Sequence, residues 1–314
     1  VESTLAGLPQ VKTVRSLSLF GLSSVTVYFQ DGTDVYFARR LVAEKLPEAQ
    51  SRIPAGFGEA ELGPNSSGLG QVFWYTVESA DRKLSNMELR TLHDWSIRVQ
   101  LRTAPGVDEI VSWGGEQKQF QVLVDPTQLI KFGLSFKSVM DALLANNRQV
   151  GGQYLNLGQE QFLVRGIGRV ADAAGIGAIA LKTERGTSVY IRDVATVKEG
   201  GGLRFGAATR DGEEVVLGIA LQRFGENARA VASSVRTKLA EIAKSLPQGV
   251  SIVPVYDRTT LVDKAVGTAG NALLEGSVLV AIVLFLFLGE IRSALVVVLT
   301  LPLAMLIAFL LMQQ

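Results

Sequence analysis

The 314-residue chain contains no cysteine, which excludes disulfides and thiolate metal sites together and leaves the redox compartment open. It has one histidine, His93, so a pair of imidazoles at metal-ligand spacing is not available, and hydrolysis of the Ser-His-Asp kind would have only that residue to stand on. An excess of either charge is also missing. Lys plus Arg total 31 against 30 acidic residues, so nucleic acid or another polyanion is not indicated as a partner. Gly166, Gly168, Gly175 and Gly177 cluster without a Gly-Lys-Ser/Thr or a complete GxGxxG, and read as turns rather than a phosphate cradle. Val1-Glu2-Ser3-Thr4-Leu5 lacks the basic and apolar regions of a signal peptide. A body exported ahead of a membrane helix needs an earlier signal, so further chain is expected upstream.

Charge is scarce in two long stretches near the other end. Residues 266–289 carry one charge, Glu275, and residues 293–314 carry none. A helix rises about 1.5 Å per residue and the hydrocarbon core is about 30 Å thick, so both stretches are long enough to span it. The short polar link Gly289-Glu290-Ile291-Arg292 makes them an antiparallel hairpin. Arg292 places that link in the cytoplasm by the positive-inside rule, and everything before about residue 265 on the outer side. Glu275 then lies roughly 21 Å from the link. That is near the outer interface, where a charge costs far less than the roughly 2.5–3.5 kcal/mol of mid-membrane. Interfacial solvation is its ordinary reading, and a lipid or substrate entrance is the functional one. Pro302 is tolerated within a helical bundle.

Hydrophobic residues make up 47% of the chain with mean hydropathy +0.26, much of it in the two arms, and the remaining length suits about two domains. Residues 2–8 read as a helix end. Residues 11–19 alternate as a strand, Gly21 turns it, and residues 22–29 pair with it before Asp31-Gly32. Thr33 or Asp34 caps a helix in which Val35, Ala38, Leu41, Val42 and Leu46 recur at helical spacing until Pro54. A Gly-rich loop at residues 63–70 leads to a strand at 71–77. This order is a βαββαβ unit without its opening strand.

The same order returns with a large insertion. Met87, Leu92, Trp95, Val99 and Leu101 mark a helix, residues 107–113 a strand, residues 215–221 its partner, and residues 228–246 a helix. That last helix matches the earlier one at constant offset: Val42 with Val235, Lys45 with Lys238, Leu46 with Leu239, Glu48 with Glu241, Pro54 with Pro247 and Gly56 with Gly249. Gly32 and Asp34 match Gly225 and Asn227. So many pairs in register argue for duplication of one unit. The insertion has strands at 120–124, 161–165 and 188–191, a helical turn at 126–132, and a helix at 136–145 with Val139, Met140, Leu143 and Leu144 inward. It is expected to project from one sheet edge as a docking surface.

Several unusual strings now carry a resemblance. They are the run from Leu62-Gly63-Pro64-Asn65 to Phe73-Trp74-Tyr75, Leu92-His93-Asp94-Trp95 leading to Pro105-Gly106-Val107-Asp108-Glu109-Ile110, Tyr256-Asp257-Arg258, and Arg292-Ser293-Ala294-Leu295 with Leu301-Pro302-Leu303. In this order the chain resembles, over essentially its whole length, the heavy-metal efflux branch of the resistance-nodulation-division (RND) transporters. The resemblance implies part of the N-terminal half of a longer proton-driven pump. Such a pump stands as a homotrimer in the bacterial inner membrane among its lipids, with a periplasmic adaptor and an outer-membrane channel as partners. It implies no cofactor beyond the transported cation and the proton motive force. It also implies an α+β fold of two ferredoxin-like porter subdomains, residues 1–83 and residues 84–118 with 206–260. A docking subdomain at 119–205 and a transmembrane hairpin at 261–314 complete it.

The family's proton-relay acids and methionine-rich metal cluster belong to segments outside this sequence. Arg15 aligns with a basic residue of the periplasmic cleft in copper-exporting members, while Leu203 stands where those members have a relay methionine. Soft Cu(I) or Ag(I) needs thioether or thiolate, and the chain offers only Met87, Met140, Met305 and Met312, so divalent cobalt, zinc, cadmium or nickel is favoured. Arg15 is a candidate for the cleft; its ordinary reading is a solvated strand residue. Glu78, Asp81, Asp108 and Glu109 are candidates for guiding a cation, against the ordinary reading of solvated acids at strand ends. His93, without a second histidine at metal spacing, reads as a helix-surface residue and only weakly as a ligand. A drug-exporting relative and a membrane-anchored periplasmic scaffold or binding domain remain as alternatives.

Overall fold

The computed structural model describes residues 1–66, 68–158, 160–184, 186–204 and 206–288, with six further helical positions between 296 and 311. The expected link at 289–292, most of the second membrane arm with Pro302, and Phe205 at the edge of the insertion lie outside the described residues. The described part mixes helix and sheet, in two compact units, residues 1–65 and 66–314.

In the first unit a short helix, α1 (Glu2–Leu5), precedes the antiparallel hairpin β1 (Val11–Leu19) and β2 (Leu22–Phe29), closed through Gly21 at φ 77°. Helix α2 (Val35–Ser51) starts where the Asp34 carboxylate accepts the Phe37 N–H at 2.7 Å. Arg39 donates to the Gly63 and Pro64 carbonyls at 2.9 and 3.2 Å, drawing the following loop back onto the helix.

The second unit is built on a sheet. Strand β3 (Gln71–Ser79) leads through α3 (Asn86–Leu92), a single π turn (His93–Ile97) and α4 (Arg98–Leu101) to β4 (Val107–Trp113). The insertion follows as β5 (Lys118–Val124), α5 (Pro126–Lys131), α6 (Phe136–Asn146), β6 (Gln149–Leu157), β7 (Glu160–Ile167), α7 (Ala173–Gly177), β8 (Ala180–Glu184), β9 (Thr187–Tyr190), α8 (Ile191–Val194) and β10 (Ala195–Gly201). The chain then returns through β11 (Ala208–Arg210), β12 (Glu213–Gln222), α9 (Ala228–Ala243) and β13 (Val250–Asp257), and ends its described course in α10 (Arg258–Leu288).

Antiparallel ladders join β4 to β12, β12 to β3 and β3 to β13, with β11 beside the first residues of β12. The strand at 71–77 is expected in the first unit, and here the structure corrects the sequence. Both edges of β3 are taken by β12 and β13, and the first compact unit closes at Asn65 rather than near residue 83. The unbroken run Val72-Phe73-Trp74-Tyr75-Thr76-Val77 explains why: all but Trp74 are buried, and only a central strand covers both faces. Leu89, Ile97 and Leu101 of the α3–α4 segment and Val231, Ala232, Val235, Leu239 and Ile242 of α9 pack with β3 in one core.

The insertion has a core of its own, including Leu129, Val139, Ile176, Ile179, Ile191 and Val194. Of the four side chains expected inward on α6, Val139 is buried and Leu143 half-buried, whereas Met140 and Leu144 are exposed. Strands β6, β8 and β10 were not evident from sequence pattern. Helix α10 begins where β13 stops, and its residues 258–283 include an 18-residue stretch of mean hydropathy 1.6, long and apolar enough to cross a membrane.

Candidate functional site

A cleft of about 770 Å³ opens where the end of β3, the start of α3 and the β11–β12 turn converge. Glu78 lies in it, and Arg210 reaches across from β11 to its carboxylate at 2.6 Å. The Thr76 hydroxyl, buried beneath, donates to the same Glu78 oxygen at 2.5 Å. Arg82 pairs with Glu213, and Arg204 with Glu214. The cleft is polar, and each acid named here is matched by an arginine, which leaves little uncompensated negative charge to hold a cation. Among the described residues no group of three or more His, Asp or Glu is arranged to hold a metal ion.

The other expected acids lie elsewhere. Asp81 sits in the turn after β3, where hydrogen bonds from Lys83 and Ser79 hold its carboxyl below the usual range. Glu109 faces Leu221 across the β4–β12 ladder and is held by Arg98 at 2.8 Å and Arg102 at 3.7 Å. Asp108 beside it is half-buried. Glu78 stands level with the opposite end of β12, next to Val77, which pairs with Val216. The two groups are therefore separated by roughly 20 Å of strand. In the first unit, Arg15 is exposed on β1 with its guanidinium 5.8 Å from the Tyr28 ring centroid. Glu275 is exposed on α10.

His93 overturns the helix-surface expectation. Its exposure is 0%, because the π turn swings it under the sheet. Leu89, His93, Ile97 and Leu101, each four residues apart, face the core, and the expected Trp95 and Val99 are exposed. A spacing of four drifts around an α-helix of 3.6 residues per turn, and the wider π turn absorbs that drift. The hydrogen bonds assign its tautomer. Ser112 donates its hydroxyl proton to Asp94 at 2.6 Å, so Nδ1–H is the donor shared by Ser112 Oγ at 3.0 Å and Asp94 at 3.2 Å. Nε2 is left as acceptor for the Tyr75 hydroxyl at 2.9 Å. Arg90 clamps the other Asp94 oxygen at 2.7 Å and the Gly114 carbonyl at 2.6 Å. Burial lowers the His93 pKa and raises that of Tyr75, while for Asp94 the hydrogen bonds from His93, Ser112 and Arg90 outweigh burial and hold it well below the usual range. With both ring nitrogens engaged inside the core, His93 is not placed as a metal ligand.

A third cluster was invisible in the sequence except as the string Tyr256-Asp257-Arg258. Asp257 closes β13 and caps α10, accepting the Thr259 N–H at 2.9 Å and the Thr259 hydroxyl at 2.6 Å. Arg236 of α9 reaches both Asp257 and Thr259. Desolvation would raise the Asp257 pKa, but the bonds from Thr259 and Arg236 lower it.

A mixed sheet-and-helix body runs directly into a helix long and apolar enough to cross a membrane. The AcrB/AcrD/AcrF family model matches residues 1–314, and the chain belongs to that family. It is 48% identical over 98% of its length to the cobalt-zinc-cadmium resistance protein CzcA of Cupriavidus metallidurans, covering 30% of that protein. It is 42% identical over 99% of its length to the cation efflux system protein CusA of Escherichia coli, again covering 30%. A crystal structure of a heavy metal efflux pump superposes with a TM-score of 0.89 at 33% identity, over 99% of this chain and 31% of that one. The chain thus spans about 30% of the length of its curated relatives.

Proposed function

We propose that this chain is part of the N-terminal half of a proton-driven RND pump of the bacterial inner membrane that exports heavy-metal cations. The observation that carries the reading is likeness over the whole chain, in sequence and fold, to heavy-metal efflux proteins. In this reading the residues before about 265 stand in the periplasm and α10 enters the membrane. The β3–α3–β4–β12–α9–β13 sheet is a ferredoxin-like porter subdomain, the first unit belongs to its duplicate, and the insertion with its separate core is the docking subdomain. The working assembly is a homotrimer that meets an adaptor and an outer-membrane channel.

Divalent cobalt, zinc, cadmium or nickel is the preferred cargo. The chain has no cysteine and few methionines, the donors that soft monovalent ions need. Arg15, Glu78, Asp81, Asp108 and Glu109 are candidates for the transport path, and Glu275 for an entrance from the membrane. Glu78 and Glu109 join that path as halves of ion pairs, so a passing cation competes with Arg210 or Arg98 for them. The test is resistance to zinc, cobalt, cadmium, copper and dyes in metal-sensitive cells carrying the full-length protein. The expected result is protection against the divalent ions. Dye resistance without metal resistance would move the protein to drug export, and protection against nothing would favour a scaffold.

A further inference from the structure

The junction of β13 and α10 has no connecting residues: Asp257 ends the strand and Arg258 starts the helix. We propose that Asp257 and Arg236 are positioning residues that lock α10 to α9, so that the membrane helix and the porter sheet move as one body during transport. The inference rests on the pump reading above and adds a coupling role that the transport path does not contain.

Four observations carry it. The Asp257 carboxylate is 11% exposed and serves two elements, capping α10 through Thr259 while pairing with Arg236 on α9. Arg236 also donates to the Thr259 hydroxyl at 2.9 Å, and Thr259 is 6% exposed, so the acceptors of the joint are shielded from water while the Arg236 side chain, 56% exposed, covers them. Further along α10, Arg229 pairs with Asp263 at 2.7 Å. Arg229 and Arg236 are two turns apart on one face of α9. Their partners follow in reverse order, so the base of α10 runs antiparallel to α9. Finally, Arg258 donates to the Leu69 carbonyl, tying the helix origin to the turn before β3.

The contributions differ in kind. Arg229–Asp263 is more than half exposed at both ends, and such a pair contributes little energy while marking which face of α10 lies beside α9. Asp257 is the stronger element, because its carboxylate is the common acceptor of the first turn of α10 and of Arg236 on α9, and removing its charge weakens both bonds. Since α9 buries Val231, Ala232, Val235, Leu239 and Ile242 against the sheet, a shift of α10 reaches β3 through packed side chains rather than a loose linker.

The test uses the full-length protein in proteoliposomes with an imposed proton gradient, reading zinc transport and equilibrium zinc binding separately. Asp257→Asn and Arg236→Gln are expected to assemble and bind zinc as the wild type does, with transport reduced several-fold. In the Asp257→Asn background, cysteines placed at positions 229 and 263 and joined by a short bismaleimide are expected to restore transport. Variants that transport at the wild-type rate would overturn the inference, as would binding and transport lost in proportion, or a complete cross-link that fails to restore transport. Should Asp257→Asn not assemble, Arg236→Gln with the same cross-link decides in its place. A wild-type protein that moves no metal ion would overturn the pump reading, and this inference with it.

Discussion

Protonating His93 would strand the Tyr75 hydroxyl, because the nitrogen that accepts its proton would then carry one itself. Burial opposes that protonation and the nearby Arg90 and Arg98 add to the opposition, while the adjacent Asp94 favours it; burial prevails. The folded-state pKa therefore lies below the ordinary histidine value of about 6.5. The unfolded chain takes up the proton first as pH falls, so the stabilisation is complete above about pH 6.5 and declines below it, by about 1.4 kcal/mol per pH unit, until the folded-state pKa is reached. Protection factors at residues 86–101 of the full-length protein, exchange rates taken relative to the intrinsic rate at each pH, should fall from pH 7 to 5. In His93→Gln that fall should be absent, and a variant whose protection falls as the wild type's does would remove His93 from the account. The histidine itself was legible, but its burial was not, since it depends on a π turn that no local pattern announces.

At the scale of elements, the duplication is repeated in physical devices. Asp34 and Asn227 both cap their helices with side-chain oxygens, Gly32 and Gly225 both precede the cap at positive φ, and Gly56 and Gly249 both hold positive φ after the helix. Lys45–Glu48 and Lys238–Glu241 are equivalent ion pairs. Asp34→Ala and Asn227→Ala should each cost about 1 kcal/mol of helix stability. Local hydrogen exchange in α2 and α9 would measure this, and a loss confined to one helix would break the equivalence. These elements were legible because caps, glycines and helical periodicity are short-range signals. The cleft was not. Glu78 and Arg210 are brought together by strand pairing across the whole insertion, and only the register of β3 with β12 makes them neighbours.

For the whole molecule, the sequence indicated two related units and an inserted module but misplaced β3, because chain order alone does not say which sheet a central strand joins. Strands β6, β8 and β10 escaped for a related reason. Their partners are β7, β9 and the distant β5, and β6 carries adjacent glycines that weaken its pattern. The insertion leaves and re-enters at neighbouring points, with the Gly202 N–H donating to the Gln117 carbonyl at 2.8 Å. Replacing residues 118–201 of the full-length protein by a short Gly-Ser link should therefore preserve hydrogen-exchange protection in β3 and β12. Lost protection there would show that the two cores are interdependent.

The position of β3 also sets an order of events on the ribosome. Its partners β12 and β13 follow only after residues 80–212 have been made, which takes roughly 7 to 27 s at ordinary elongation rates of about 5–20 residues per second. Throughout that interval Val72, Phe73, Tyr75 and Val77 form an apolar strand with neither neighbour present. The insertion, whose contacts are internal, completes its own core first. Nascent-chain aggregation, and the need for a holding chaperone, should accordingly centre on residues 71–79.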